Sequence, residues 1–105
     1  MKFVAVTACP SGVAHTYMAA EALEKAAKKQ GVEIKVETQG SVGVENRITE
    51  EDLVGVSAVI LTKDMPILNT ERFKGIPTVQ IGVGDAIKKA DAIITKVAQH
   101  VGGQQ

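Results

Sequence analysis

Apolar residues fall along this chain in two rhythms, and the rhythm changes at glycines and prolines. Residues 2–8, Lys-Phe-Val-Ala-Val-Thr-Ala, run almost without a polar break, as a strand buried on both faces does. Cys9-Pro10-Ser11-Gly12-Val13-Ala14-His15-Thr16 interrupts that run with a proline and a glycine. From about Val13 the period lengthens, and Val13, Tyr17, Ala20, Leu23 and Ala27 line one face of a helix. Lys25, Lys28 and Lys29 supply its polar side near the C-terminal end, where cations suit the helix dipole, and Gly31 ends it. Val32 to Thr38 then alternates Val32, Ile34 and Val36 with Glu33, Lys35 and Glu37, the pattern of a half-exposed strand.

Gln39-Gly40-Ser41-Val42-Gly43 reads as a loop, its glycines permitting unusual backbone angles. Thr49-Glu50-Glu51-Asp52-Leu53 reads as a short acidic helix, with Thr49 as N-cap and Asp52 three residues on. Residues 58–61 and 78–81 are two further strands, separated by an irregular link around 69–73. A last helix is predicted over 84–101, burying Ala86, Ile87, Ala90, Ile93, Ile94 and Val97. Strands alternating with helices predict a parallel sheet covered on both faces. The expectation is a three-layer α/β/α domain with a four-stranded parallel sheet, in the order 2-1-3-4, its fourth strand at an edge. At 105 residues the chain is one domain, 1–105.

Composition narrows the function classes. Lys+Arg and Asp+Glu both number 12, so no net charge argues for nucleic acid or an anionic membrane as partner. No apolar stretch approaches the ~20 residues needed to cross a bilayer. Met1-Lys2 leads straight into a strand-like run, without the pattern of a secretory signal. The expectation is a cytoplasmic chain, either a free-standing subunit from Met1 or an excised domain, whose membrane role comes through a partner. The single cysteine excludes an intramolecular disulfide.

In a sheet of this kind, ligands bind beyond the carboxyl ends of the strands, where the connections diverge. The loop opening there is 9–16. A cysteine directly after a strand, followed by a turn and a helix start, lies beside backbone N–H groups that lack helical partners. Those groups and the helix dipole favour anions, both a thiolate and phosphate oxygens. Gly12 permits close backbone approach, and Ser11 and Thr16 add hydroxyl donors. A thiolate in a phosphate cradle is the equipment of a phosphocysteine intermediate. A buried apolar role, common for lone cysteines, suits a strand end before Pro-Ser-Gly poorly.

His15 follows Cys9 by six residues, the spacing at which small tyrosine phosphatases place an arginine that grips the phosphoryl oxygens. The loop here has no arginine. Without that bidentate fork the loop suits a protein that keeps its phosphoryl group until an acceptor arrives. His15 either donates a hydrogen bond to the group or packs against neighbouring loops. Two other readings use the same edge: a thiolate phosphatase, and a nucleotide or flavin cradle. The first lacks the arginine, and the second lacks stacking rings, since the chain has no Trp, one Tyr and two Phe.

Ala8-Cys9-Pro10-Ser11-Gly12-Val13-Ala14-His15-Thr16-Tyr17-Met18-Ala19-Ala20-Glu21-Ala22-Leu23 resembles the signature of the fructose-type enzyme IIB domains of the sugar phosphotransferase system. Val36-Glu37-Thr38-Gln39-Gly40-Ser41-Val42-Gly43-Val44-Glu45-Asn46 is similar to a second stretch of that family. The resemblance runs from about Val4 to His100. It implies a phosphoryl relay: a phosphohistidine of a IIA domain donates to Cys9, and the phosphocysteine donates to a fructose or fructose-like sugar held by a membrane IIC domain. A purely regulatory carrier that hands its group to another protein fits the same residues. On the relay reading the segment Pro10, Ser11, Gly12, Val13, Ala14, His15 and Thr16 cradles the phosphate. No metal or organic cofactor is expected, and the chain associates with the inner membrane only through IIC. Gln39, Ser41 and Gly43 are expected to border the cysteine loop or touch a partner, and Asp64 to be a solvated carboxylate on the same edge. Glu21 is read as structural or part of a docking surface, and Lys63 and Arg72 as exposed charges.

Overall fold

The computed structural model describes residues 1–10, 13–40 and 43–102, and the side chains of all of these but Val13 and Gly102. Its elements in chain order are β1 (Lys2–Thr7), α1 (Val13–Lys29), β2 (Glu33–Gly40), β3 (Gly43–Glu45) and β4 (Ala58–Thr62). A short 3-10 helix (Thr70–Phe73), β5 (Thr78–Ile81), α2 (Val83–Lys88) and α3 (Ala90–Gly102) follow.

The sheet has five strands in the order β3-β2-β1-β4-β5. β2, β1, β4 and β5 are mutually parallel, and β3 folds back antiparallel on β2 with Gly40 opposite Gly43. The expected four-stranded, all-parallel sheet is therefore corrected by an added edge strand. The difference arises over 39–45: Gln39 and Gly40 prolong β2, and Gly43, at φ 101°, begins the return strand. Glycine suits that position because an L side chain rarely adopts such an angle.

β1 is the central strand. Phe3 and Ala5 face one side with Val36, Ala58 and Ile60; Val4 and Val6 face the other with Val59 and Leu61. All three α-helices lie on the first side. α1 presents Ala19, Ala20, Leu23, Ala26 and Ala27, and its small side chains bring the helix close to the sheet. Tyr17, expected on that stripe, is exposed instead and donates a hydrogen bond to Glu45 on β3. The helix closes as a Schellman motif: Val32 N–H reaches Ala27 O at 2.8 Å, Gly31 N–H reaches Lys28 O at 3.2 Å, and Gly31 takes φ 71°.

The single predicted last helix is two. Its buried stripe Val83, Ala86, Ala90, Ile94, Val97 and Val101 keeps helical spacing throughout, which is why the pattern reads as one element. The backbone leaves helical geometry at Lys89 (φ −127°), and the two pieces pack separately on α1.

The second side of the sheet carries no α-helix among the described residues, which corrects the three-layer expectation. Ile48, Leu53, Val56, Ile67, Phe73 and Ile76, on turns and the 3-10 helix, cover it. The expected helix at 49–53 is a run of turns over 50–55. Its start signal is satisfied: Thr49 N–H and Oγ1 each bond Asp52 Oδ2 at 2.9 Å, and Asp52 N–H donates to Thr49 Oγ1 at 3.3 Å. Gly55 at φ 79° stops propagation, and the chain must re-enter the sheet at Ala58. Lys35 bonds Asp52 at 2.6 Å; that contact, followed by the Thr49 donors, holds the Asp52 carboxyl far below the ordinary carboxylate range.

Glu37 lies on this second side of β2 and is 1% exposed, against an expected half-exposed strand. Arg72, expected exposed, reaches over it with two guanidinium nitrogens at 2.7 and 2.6 Å from the two carboxylate oxygens. Ile48 N–H donates to Glu37 Oε1 at 2.8 Å, and Arg72 donates to Ile48 O at 2.9 Å. Burial alone pushes the Glu37 carboxyl up; Arg72, Gln39 and the Ile48 amide together outweigh it, so the group sits below its ordinary value.

A depressed carboxyl adds stability that is present above its unfolded value, 4.5, and is lost as pH falls through the folded value. Urea unfolding should therefore show stability falling from about pH 4.5 downward. That fall should be shallower in the pair Glu37→Met with Arg72→Met, and equal slopes would contradict the assignment. Glu37→Gln alone leaves Arg72 without its charge partner and should cost about 3–5 kcal/mol at pH 7.

Candidate functional site

Cys9 stands just past the end of β1, and two threonines fix that end. Thr62 Oγ1 accepts from Ala8 N–H at 2.9 Å and donates to Ala8 O at 3.1 Å, so one hydroxyl on β4 satisfies both backbone groups of the residue before the cysteine. Thr7 Oγ1 donates to the backbone oxygen of Thr16 at 3.1 Å, joining the strand end to the first turn of α1. All three threonines are buried, where unpaired backbone groups are costly. Neither Thr7 nor Thr62 stood out in the sequence, because a threonine in an apolar run reads as an ordinary strand residue.

The Cys9 side chain is partly exposed, with Sγ 3.9 Å from Nδ1 of the exposed His15. Which of the two atoms donates depends on the histidine tautomer. α1 begins at Val13, so the N–H groups of its first turn, from Val13 through Ala14 and His15 to Thr16, lie at the positive end of a 17-residue helix. Thr16 Oγ1 is buried and has no hydrogen-bond partner among the described residues. Ser11, Gly12 and Ser41, expected at the site, lie outside the described residues.

Two grooves meet at Cys9 and Pro10. One, about 380 Å³, is walled by Gln39, Gly43 and Val44 on one side and Met65, Pro66 and Leu68 on the other. The second, about 430 Å³, is lined by His15, Met18, Asp64, Val83 and Lys88. The structure thus gathers Pro10, His15, Gln39, Gly43 and Asp64 around the sulfur. Asp64 also anchors a helix, because its Oδ1 accepts from Val83 N–H at 2.6 Å, at the start of α2. Asp64 is exposed on irregular chain, as the solvated-carboxylate reading expects, and this bond is an added anchoring role. Lys88 adds the cationic side chain that the loop itself lacks. It escaped sequence reasoning because it sits in a helix predicted only by its apolar stripe.

Met18, Val44, Met65 and Leu68 line these grooves and are 36–60% exposed. Apolar side chains this exposed around one reactive group form a surface suited to partner contact. A nucleophilic sulfur, helix-end amides and a lysine form a place where an anion can be held and exchanged. Among the described residues, no group of three His, Cys, Asp or Glu side chains could hold a metal ion. None of the described helices is long and apolar enough to cross a membrane.

Residues 4–96 match the family model described as the lactose/cellobiose-specific IIB subunit of the phosphotransferase system. The chain is 60% identical over 100 residues to the fructose-like EIIB component 2 of Escherichia coli, covering 95% of this chain and 94% of that one. It is 50% identical over 91 residues to the 2-O-alpha-mannosyl-D-glycerate-specific EIIABC component of the same organism, covering 87% of this chain and 14% of the larger one. The solution structure of an enzyme IIB subunit from Escherichia coli superposes with a TM-score of 0.90 at 40% identity, covering 99% of this chain and 96% of that one.

Replacing Thr62 with valine keeps shape but removes the hydroxyl that pairs with both backbone groups of Ala8. The expected cost is about 1–3 kcal/mol, seen as a fall in Tm of roughly 4–8 °C per kcal/mol. A valine variant that melts with the wild type would mean that the hydroxyl does not hold this strand end.

Proposed function

Because the chain belongs to the IIB family of the sugar phosphotransferase system, we propose that it carries a phosphoryl group on the sulfur of Cys9. The observation that carries this reading is the position of that sulfur. It lies at the junction of two grooves, beside His15 and the first turn of α1, in a chain 60% identical to a fructose-like IIB component.

In the first step the Cys9 thiolate attacks the phosphorus of a phosphohistidine on a IIA domain. The S–P bond forms, the N–P bond breaks, and the donor histidine leaves with its nitrogen lone pair. His15, 3.9 Å from the sulfur, is placed to share the thiol proton. The backbone N–H groups that follow Pro10, from 11 to 16, with the hydroxyls of Ser11 and Thr16, hold the phosphoryl oxygens. In the second step a hydroxyl of a fructose or fructose-like sugar, bound by a membrane IIC domain, attacks phosphorus. The O–P bond forms, the S–P bond breaks with its electron pair on the departing Cys9 thiolate, and the hydroxyl proton passes to solvent. Both steps need access to one sulfur, so the donor and acceptor domains bind in turn. The carrier works at the cytoplasmic side of the inner membrane, held there through IIC, and uses no metal or organic cofactor.

Gly43 contributes to the partner face with Met18, Val44 and Met65, and Ser41 is a further candidate for contact with a partner. The larger relative, named as one EIIABC component, joins the three functions in one protein. It supports the choice of IIA and IIC as partners here.

Incubation with phosphoenolpyruvate, the general phosphotransferase proteins and a fructose-type IIA should add one phosphoryl group to the intact protein. Cys9→Ser should remain unmodified, and membranes carrying IIC with sugar should discharge the wild type. A wild type left unmodified by phosphorylated fructose-type IIA domains would defeat the carrier reading. Release of inorganic phosphate without sugar or IIC would point to a phosphatase.

A further inference from the structure

Residues 65–69, the irregular wall of the groove beside Cys9, belong to no strand or helix that would hold them in shape. Gln39 does so with its side chain. Leu68 N–H donates to Gln39 Oε1 at 2.8 Å, and Gln39 Nε2 donates to Leu68 O at 3.2 Å. One amide thus pairs with both backbone groups of a wall residue, as a neighbouring strand would.

An amide presents a donor at one end and an acceptor at the other, and by itself it can turn either way round. Here the second proton of Gln39 Nε2 goes to Glu37 Oε2 at 2.8 Å. An ionised carboxylate only accepts, so the nitrogen must face Glu37, and the oxygen is left for Leu68. Glu37 is held in turn by the two nitrogens of Arg72, at 2.7 and 2.6 Å, and by Ile48 N–H at 2.8 Å. Bidentate pairs of this kind fix orientation as well as charge. The chain of contacts runs from Arg72 through Glu37 and Gln39 to Leu68, which lines the groove with Cys9.

We propose that Glu37 and Arg72 are positioning residues for the Cys9 site: their ion pair sets the orientation of Gln39, and Gln39 holds the wall against which a phosphoryl-donor domain docks. This rests on the carrier reading of Cys9 and adds to it the element that shapes donor recognition. Neither residue lines either of the grooves that meet at the sulfur. Their removal therefore alters how well the donor binds while leaving transfer within the bound complex intact.

The test uses Gln39→Leu, which removes the amide without leaving an unpaired charge, and the pair Glu37→Met with Arg72→Met, which removes both charges together. Phosphoryl transfer from phosphorylated fructose-type IIA is followed as a function of IIA concentration, with hydrogen exchange at the Leu68 amide. The half-saturating IIA concentration should rise about tenfold in both variants, with the saturated rate of the Glu37→Met, Arg72→Met pair, which lies outside both grooves, within about twofold of wild type. Exchange at Leu68 should quicken by about tenfold or more, and Gln39→Glu, which presents two acceptors to Glu37 and Leu68, should fail to rescue it. A merely structural role predicts something different: a smaller fraction of chains phosphorylated at completion, with half-saturation unchanged. That result, or an unaltered Leu68 exchange rate in both variants, overturns the proposal. A wild type that accepts no phosphoryl group overturns the carrier reading itself and this inference with it, whereas normal wild-type transfer with unmoved variants overturns this inference alone.

Discussion

A carboxylate removed from water is tolerable only if its oxygens find donors, and Glu37 imposes that demand on the middle of a strand. It projects from β2 onto the side of the sheet occupied by Val4, Val6 and Leu61. Its needs are met by three separate pieces of chain: the 3-10 helix through Arg72, the segment entering the 50–55 turns through Ile48, and its own strand through Gln39. Arg72 also lies over the ring of Phe73, 4.6 Å from the centroid, so the cation that closes the ion pair also covers an apolar side chain. The second face of the sheet is therefore roofed by turns tied to a buried charge pair, where the first is roofed by helices packed through alanine and branched aliphatic side chains.

That difference between the two faces bears on the site. The helical side gives rigidity by burial, and it delivers the first turn of α1 to the end of β1. The other side gives a wall whose shape depends on directional polar contacts. Cys9 sits where the two meet. The residue before it is held by a hydroxyl past the end of β1 at Thr7, since Thr62 pairs with both backbone groups of Ala8. The Cys9 sulfur in this way lies outside regular structure and partly exposed, next to a residue that is held in place. The exposed methionines, valine and leucine around it are costly to leave in water, and a surface that must meet other proteins is a reason for keeping them there.

Much of this was legible in the residues. The unbroken apolar run of β1 identified a central strand, because only a strand covered on both faces needs no polar side. The alanine and leucine stripe located α1, and Gly31 located its end. Cys9 followed by proline, serine and glycine placed the reactive group at a strand end. Where the reading failed, the pattern was ambiguous for a physical reason. The stripe of α2 and α3 is continuous through Lys89, so nothing in its spacing reveals that the backbone turns there. The Thr49–Asp52 start signal is real and satisfied, but a start signal does not carry a helix past a glycine at positive φ. Glu37 looked solvent-facing because alternation says which side of a strand a residue takes, and leaves open whether that side is covered.

Local rules of spacing, capping and turn chemistry act within a few residues, so the sequence by itself determined the central strand, the first helix, the parallel order of four strands and the place of the cysteine. Contacts between distant residues depend on how the chain returns on itself. Arg72 meets Glu37 from 35 positions away, and Thr62 meets Ala8 from 54. Only the tertiary structure decided that a charged strand residue is buried, that irregular chain forms the second roof, and that Leu68 and Lys88 line the grooves at Cys9. Each of those depends on a partner that no local pattern names.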